Sequence, residues 1–357
     1  MENKLESIDK NFIIQTIEGR DVVFHNAKDD PFQIYGAYME DTYDEPYRRL
    51  PHLEGVNGGV NWLSYNTAGI RVRFTTDSPF IAIRALIDGA CHMGHMTLTG
   101  SCGFDMYEFN NGREKYLKTF VPWTGITDGR DYFECFADLS QKKMRSLTLN
   151  FPLYNRVKKL EIGIAPDAII KKGADYKDIA PIVYYGSSIT QGGCASRPGN
   201  SYEALISHEI NVDHINLGFS GACVAEPEMA EYIASLPMSA FVYDYDYNAP
   251  DAEYLEETHE PFFKLIRKTY PNLPIIILSA PYPAEEGDDR TRRDIIKRTY
   301  ENALANGDRN VYFIDGGSIF DGDFRDSCTV DGVHPNDAGF FRMASSVLAV
   351  IKKALNI

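Results

Sequence analysis

From Pro181 onward, five apolar bursts of four to six residues alternate with amphipathic stretches, and this alternation constrains the fold more than any other feature. The bursts are Ile182–Tyr185, His214–Leu217, Ala240–Tyr245, Pro274–Leu278 and Val311–Ile314. Most are apolar almost throughout, as a strand covered on both faces must be, with His214 and Asn216 the polar members of the second. Helical patterns fill the gaps at Tyr202–Ile210, Glu226–Leu236, Ala252–Tyr270 and Arg293–Ala305. A last helix is expected from Asp337 to Leu355, with Phe340, Phe341, Met343, Val347, Val350 and Ile351 spaced for one face. Right-handed crossovers then predict a three-layer α/β domain over residues 181–357, a five-stranded parallel sheet between helices.

The chain has 357 residues, more than a single core usually accommodates. Residues 1–166 read differently. Ile70–Phe74 alternates apolar and polar residues, and Phe80–Ile87 is rich in β-branched side chains. Similar runs occur at Phe12–Ile17, Val22–His25, Phe32–Tyr38, Phe104–Phe109, Tyr116–Val121, Leu147–Phe151 and Leu160–Ile164, with turn signals at Asn111-Gly112 and Asp128-Gly129. Many short strands without a helical period predict an all-β sandwich or jelly roll. The polar stretch 167–180, with Lys171-Lys172-Gly173, reads as the linker.

Charge narrows the function. Thirty-six basic against 51 acidic side chains give a net charge of −15, and without a local basic patch such a chain does not follow a phosphate backbone. Nucleic acid is set aside as a partner. No apolar run approaches the ~18–20 residues of a membrane span, and Met1–Lys10 lacks the apolar segment of a secretory leader. Six scattered cysteines suit a reducing compartment. A cytoplasmic protein with no membrane partner is expected.

Chemistry gathers where strands end, the ligand-binding edge of such folds. The first strand runs into Gly186-Ser187-Ser188-Ile189-Thr190-Gln191-Gly192-Gly193. That small-residue turn can raise a hydroxyl above the sheet and free backbone N–H groups at a helix start. By itself it equally suits a phosphate cradle or a plain structural turn, although it lacks the P-loop lysine and the G-x-G-x-x-G spacing. The second strand leads to Ser220-Gly221, the third to Asp246-Tyr247-Asn248, and Asp331-Gly332-Val333-His334 precedes the last helix. Asp331, three residues before His334, can fix its tautomer, and His334 can take a proton from Ser188. The N–H groups of Ser188 and Gly221 and the Asn248 amide can face an oxyanion. This is a complete set for acyl transfer.

These residues resemble the SGNH (GDSL-type) hydrolases, whose Ser, Gly, Asn and His blocks occur here in order at Gly186–Thr190, Gly221, Asn248 and Asp331–His334. Within that superfamily the chain is similar to a subgroup with an N-terminal GxDLY β-domain, through Gly103-Phe104-Asp105-Met106-Tyr107. Asn61-Trp62-Leu63-Ser64, Arg49-Leu50-Pro51 and Cys194–Gly199 add to the likeness. Two departures stand out. Ser187 replaces the usual Asp, though Ser can still cap the turn, and Asp246-Tyr247-Asn248-Ala249 keeps only the Asn of its block.

The resemblance implies a serine esterase that removes a short acyl group, acetyl foremost, from a carbohydrate-like or other polar alcohol, without a cofactor. Ser188, His334 and Asp331 are the expected catalytic residues, and Ser188, Gly221 and Asn248 the expected oxyanion donors. Gln191 and Arg197 are candidate substrate contacts. Trp62, Tyr65, Tyr107, Trp123 and Tyr132 are residue types that stack on sugars. A lipase or thioesterase for longer chains and a catalytically inert carbohydrate-binding protein are the alternatives. Cys91-His92-x-x-His95 has metal-ligand residue types, but H-x-x-H in an extended segment turns its rings to opposite faces, so no metal is expected. Cys194 and Cys223 are minor nucleophile candidates, since no second base is placed for them.

Overall fold

The computed structural model describes residues 14–39, 45–88, 91–122, 132–281 and 287–357. The first half contributes β1 (Ile14–Ile17), β2 (Arg20–Asn26), β3 (Gln33–Tyr35), helix α1 (Gly58–Leu63), β4 (Arg71–Thr76) and β5 (Phe80–Ile87). It continues with α2 (Leu98–Ser101), β6 (Phe104–Asn110), β7 (Arg113–Phe120), β8 (Tyr132–Asp138), β9 (Arg145–Asn150), β10 (Val157–Ile164) and β11 (Ile170–Lys172). These strands form two antiparallel sheets, β1-β2-β10-β5-β8 and β11-β4-β9-β6-β7, with β3 beside β4. Alternate side chains such as Ile81, Ile83, Phe74, Phe104, Leu147 and Leu149 fill the core between them. The β6–β7 hairpin turns at Asn111-Gly112, both at positive φ, as the sequence predicts. Asp128-Gly129, Trp123 and the start of the Phe12–Ile17 run lie outside the described residues.

The second half holds β12 (Ile182–Gly186), α3 (Ser188–Gln191), α4 (Tyr202–Ile210), β13 (His214–Gly218), α5 (Pro227–Ser235), β14 (Ala240–Asp244) and α6 (Ala252–Thr269). Then come β15 (Ile275–Leu278), α7 (Gly287–Ala305), β16 (Val311–Ile314) and α8 (Asp337–Leu355). All strand pairs are parallel in the order β13-β12-β14-β15-β16, so the expected three-layer α/β domain is present beside the β-sandwich. Val183 and Tyr185 of β12 pack with α5, α6 and α7, while Ile182 and Tyr184 pack with α4 and α8. Because β12 is flanked by the next two strands in the chain, the topological switch point lies at its carboxyl end. Among the described residues no helix is long and apolar enough to cross a membrane.

The halves share cores and buried charges. Leu50, Val60 and Leu63 join the layer of α5 and α6, and Leu153 and Tyr154 join that of α8. Stretch 167–180 differs from the expected linker: Ile170–Lys172 pairs with Phe74–Thr76, and Arg71 Nε donates to Tyr176 Oη at 2.7 Å. Fully buried Arg49 donates through Nη1 to the Gly218 carbonyl (2.6 Å) and to Asn216 Oδ1 (3.2 Å). Arg71 pairs with Asp213 and donates to the His214 carbonyl at 3.1 Å. Cations of the β-sandwich thus satisfy carbonyls and side chains around β13, replacing the water that burial removes.

Asn216 in turn donates at 2.7 Å to Thr190 O and to Glu203 Oε1. Burial pushes the Glu203 carboxyl up from 4.5 to about 7, against hydrogen bonds from Ser201 and Asn216 and the nearby Arg49 charge. The native state then holds a proton that the unfolded chain has released, so this group's contribution to stability falls as pH rises from about 4.5 to about 7. Glu203→Gln removes that dependence. In chemical denaturation the difference in unfolding free energy should move in favour of the variant as pH rises through this window; a difference that stays constant would show that Glu203 titrates normally.

Candidate active site

The turn after β12 is built from residues too small to be exchanged. At Gly186 a Cβ would meet Thr190 Oγ1 at 2.2 Å and the Asp244 carbonyl at 2.5 Å. Ser187 caps α3, its Oγ accepting from Ile189 N–H at 3.2 Å, so it supplies the cap expected of the residue before Ser188. The Ser188 carbonyl accepts from Gly192 N–H (3.1 Å), Gly193 N–H (2.9 Å) and the Tyr154 hydroxyl (3.1 Å). Its side chain is left to face the strand ends.

Ser188 Oγ lies 3.0 Å from His334 Nε2, and His334 Nδ1 lies 2.8 Å from Asp331 Oδ2. Asp331 Oδ1 accepts from the N–H groups of Val333 (3.0 Å) and His334 (2.8 Å). Although desolvation opposes it, these bonds and the His334 ring hold the Asp331 carboxyl down at about 2. A carboxylate there places the ring proton on Nδ1 and the lone pair on Nε2, toward Ser188.

The histidine loop is stitched at its base. Val330 N–H donates to the His334 carbonyl at 2.9 Å, and Asn336 Nδ2 to the Ser327 carbonyl at 2.7 Å. Asn336 Oδ1 also caps α8 by accepting from Ala338 and Gly339 N–H. Asp337 then reaches the turn that follows α3, accepting from Ser196 N–H (2.8 Å) and Asn200 Nδ2 (2.9 Å). Cys194 N–H donates to the Pro335 carbonyl at 2.8 Å. These bonds join the Ser188 and His334 segments across 146 residues of sequence.

The glycine and asparagine blocks follow the two strands flanking β12, whose Gly186 registers with Gly218 and Asp244. Gly221 sits at φ +70 with nothing near its would-be Cβ, so backbone conformation, not space, requires glycine. Asn248 Oδ1 accepts from Cys223 N–H at 3.4 Å, which fixes the amide and turns its NH₂ away from Cys223. Asp246, the atypical acid of that block, pairs with Arg292 at 3.5 Å and accepts from Ala280 N–H at 3.1 Å.

Both candidate substrate contacts are corrected. Gln191 is fully buried, accepting from Ser220 N–H at 2.9 Å and donating to the Leu153 carbonyl at 3.2 Å. It braces the turn before Gly221. Arg197 turns to the β-sandwich: Nη1 donates to Asp105 Oδ2 at 2.9 Å and contacts the Tyr107 hydroxyl, and the guanidinium lies 4.1 Å from the Tyr116 ring centroid. Asp105 Oδ2 also accepts from Gly199 N–H at 2.9 Å, and Oδ1 from Asn150 Nδ2 at 3.0 Å. The period of a strand explains the motif. Phe104 and Met106 point into the sandwich core, and Asp105 and Tyr107 point at the neighbouring domain.

Of the aromatic candidates, Tyr107 is buried in this clasp and Tyr65 is covered by Arg156 at 4.3 Å. Trp62 is 72% exposed on α1, one turn beyond Gly59, which packs against Ala222 beside Gly221. Trp123 and the Tyr132 side chain lie outside the described residues. His95 comes to the site from the β-sandwich, its ring centroid 5.2 Å from that of His334. No local pattern could pair His95 with a residue so far along the chain. Tyr154 and Asp337 support the site without any motif spacing that marks them, and Arg49, which the Arg49-Leu50-Pro51 likeness marked, supports it through the Gly218 carbonyl.

Asp105→Asn and Arg197→Gln should each lower the denaturation midpoint, because each leaves a desolvated partner unpaired. The double variant should lose less than the sum, with a coupling energy of ~0.5–3 kcal/mol. Strictly additive losses would mean that the pair does not act as a clasp.

Residues 179–352 match the GDSL-like Lipase/Acylhydrolase family, and residues 22–170 match the N-terminus of Esterase_SGNH_hydro-type proteins. A solved structure described as a GDSL-like lipase from Bacteroides ovatus is 29% identical, with 94% of this chain and 98% of that chain covered and a TM-score of 0.83. A salicylyl-acyltransferase from a tetracycline biosynthetic pathway is 21% identical, covers 93% and 98%, and has a TM-score of 0.75. An acetyl xylan esterase from Butyrivibrio proteoclasticus is 13% identical, covers 94% and 99%, and has a TM-score of 0.58. No curated protein matches the chain in sequence. With both domain matches in chain order and the acyl-transfer constellation at the strand ends, the chain belongs to the SGNH (GDSL-type) hydrolases, carboxylic ester hydrolases, in the subgroup with an N-terminal GxDLY domain.

Proposed function

We propose that the protein removes a short acyl group, acetyl foremost, from a carbohydrate-like or other polar alcohol through an acyl-enzyme on Ser188. The observation that carries the reading is the relay of Ser188 Oγ, His334 Nε2, His334 Nδ1 and Asp331 Oδ2, with contacts of 3.0 and 2.8 Å. Ser188 Oγ attacks the ester carbonyl as His334 Nε2 takes its proton. Asp331 holds the ring and balances the imidazolium, and His334 returns the proton to the leaving alcohol. Water then repeats the sequence on the acyl-serine. Ser188 N–H, Gly221 N–H and the Asn248 amide are assigned to the oxyanion. No cofactor enters any step.

Two features support a small acyl group and a polar alcohol. The turn holding Ser188 packs flush on the β-sandwich, where a Cβ at Gly192 would meet Leu153 at 2.8 Å and one at Gly193 the Tyr154 hydroxyl at 2.7 Å. Exposed Trp62, near the Gly221 turn, offers a stacking face for a sugar ring. The substrate is then a small-molecule or oligosaccharide ester, and the six free cysteines fit a cytoplasmic setting. Beside Asp331 lies a groove of about 390 Å³ in which Phe320 and Val330 stand among Arg325, Asp326, Thr329 and Gly332, a lining more polar than a long acyl chain requires.

Ser188→Ala and His334→Ala should each cut kcat/KM for an aryl acetate by at least ~10⁴-fold while circular dichroism stays unchanged. Asp331→Asn should lose about 10⁴-fold by favouring the wrong tautomer. Near-normal turnover in the Ser188 or His334 variant would refute the mechanism.

Across acetyl, butyryl, octanoyl and palmitoyl esters of one alcohol, kcat/KM should fall with chain length. A maximum at octanoyl or beyond would assign the Phe320 groove to the acyl chain and replace this reading by a lipase or thioesterase. Binding of acetylated sugars with no turnover of any ester would leave the inert binding protein.

A further inference from the structure

We propose that His95, Asp331 and His334 form a site for a divalent transition-metal ion, Zn²⁺ in the first instance, and that its occupation switches hydrolysis off. One ligand atom from each of the three residues lies within 4.8 Å of the other two. The donor set is two imidazole nitrogens and a carboxylate oxygen, borderline ligands that suit Zn²⁺ over Mg²⁺ or Ca²⁺, with a fourth position open to water. Bonds of ~2.0–2.2 Å require those atoms to draw closer. The exposed His95 side chain supplies that movement by rotation, with its ring already 5.2 Å from that of His334 and inclined at 55°.

The backbone beneath His95 is anchored. Met96 next to it is buried, and the hydroxyls of Thr97 and Thr99 donate to the Ser196 carbonyl at 2.9 and 2.6 Å. Ser196 is itself bound to Asp337 at the start of α8. One short chain of contacts therefore sets His95 against the histidine loop. Cys91 and His92, its partners in the sequence pattern, are not in the cluster; the other two ligands come from the second domain.

The consequence for hydrolysis does not depend on which ring nitrogen binds. At Nε2 the ion takes the lone pair that would receive the Ser188 proton. At Nδ1 it displaces the Asp331 hydrogen bond, the ring proton moves to Nε2, and Nε2 can no longer accept. Either way the general base is lost, and no bond of the substrate is involved.

The inhibition arm rests on the esterase reading, whereas the binding arm does not. ZnCl₂ is titrated into the full chain by calorimetry, with a chromophoric chelator in competition, for wild type, His95→Ala, His334→Gln and Ser188→Ala. One equivalent is expected in wild type and in Ser188→Ala, with affinity lower by roughly 10–100-fold or more in the two histidine variants. Zinc should also inhibit aryl acetate hydrolysis, EDTA should restore it, and the midpoint in His95→Ala should rise by the same factor, each rate being normalised to that variant's own zinc-free rate. Equal affinity in wild type and His95→Ala would overturn the site, and tight binding without inhibition would overturn the switch. If wild type hydrolyses no ester, the function reading and the switch both fail, and the binding arm alone decides the site.

Discussion

Asp105 is a carboxylate sealed from water, and most of what satisfies it comes from the other domain. Arg197 and the Gly199 N–H occupy one oxygen while Asn150 of its own sheet holds the second. A charge so placed tolerates little displacement, because a lost partner leaves it unsolvated. Burial pushes its pKa up while Arg197 draws it down. The segment it grips, Arg197–Gly199, follows directly on the turn of Ser188. Arg49 plays the complementary part on the flanking strand by donating to the Gly218 carbonyl just before the Gly221 turn. The β-sandwich is thus the rigid backing of two of the three strand-end turns.

That backing bears on the chemistry. In the proposed mechanism a general base is useful only when its lone pair meets the nucleophile, and the serine and histidine segments are tied to each other through Asp337, Ser196 and Cys194 before any substrate arrives. The preorganisation comes from backbone donors and small residues, which carry little side-chain entropy. Glycines at 186 and 221 serve different ends. The first makes room for a close approach, and the second allows a positive φ. Gln191 belongs to the same scaffold, holding Ser220 from beneath.

Much of the fold was legible because it rests on periodicity. The buried runs of β12 to β16, the helical pattern of α4 and the amphipathic α8 read directly from the order of apolar residues. Elements without that signal were not legible. β8 has no β-branched residue, α1 and α2 are too short to repeat a period, and the polar first turns of α7 carry Asp288 and Asp289 ahead of the first buried apolar residue. Ser188, Asp331, His334, Gly221 and Asn248 stood out because chemistry demands those residue types in those blocks.

By itself the sequence determined which turns bear the hydroxyl, the imidazole and the carboxylate, since each follows a strand that hydrophobic patterning places in one parallel sheet. Only the tertiary structure decided what surrounds them. Arg197 and Gln191 looked like substrate contacts while they were merely near Ser188 in the chain; packing gave one to Asp105 and buried the other under Ser220. His95 looked like part of a local metal pattern until folding set it against His334. The physical reason is range. Hydrophobic period and turn chemistry act within about ten residues, whereas the pairing of a buried charge depends on which distant segment is close enough to replace its water.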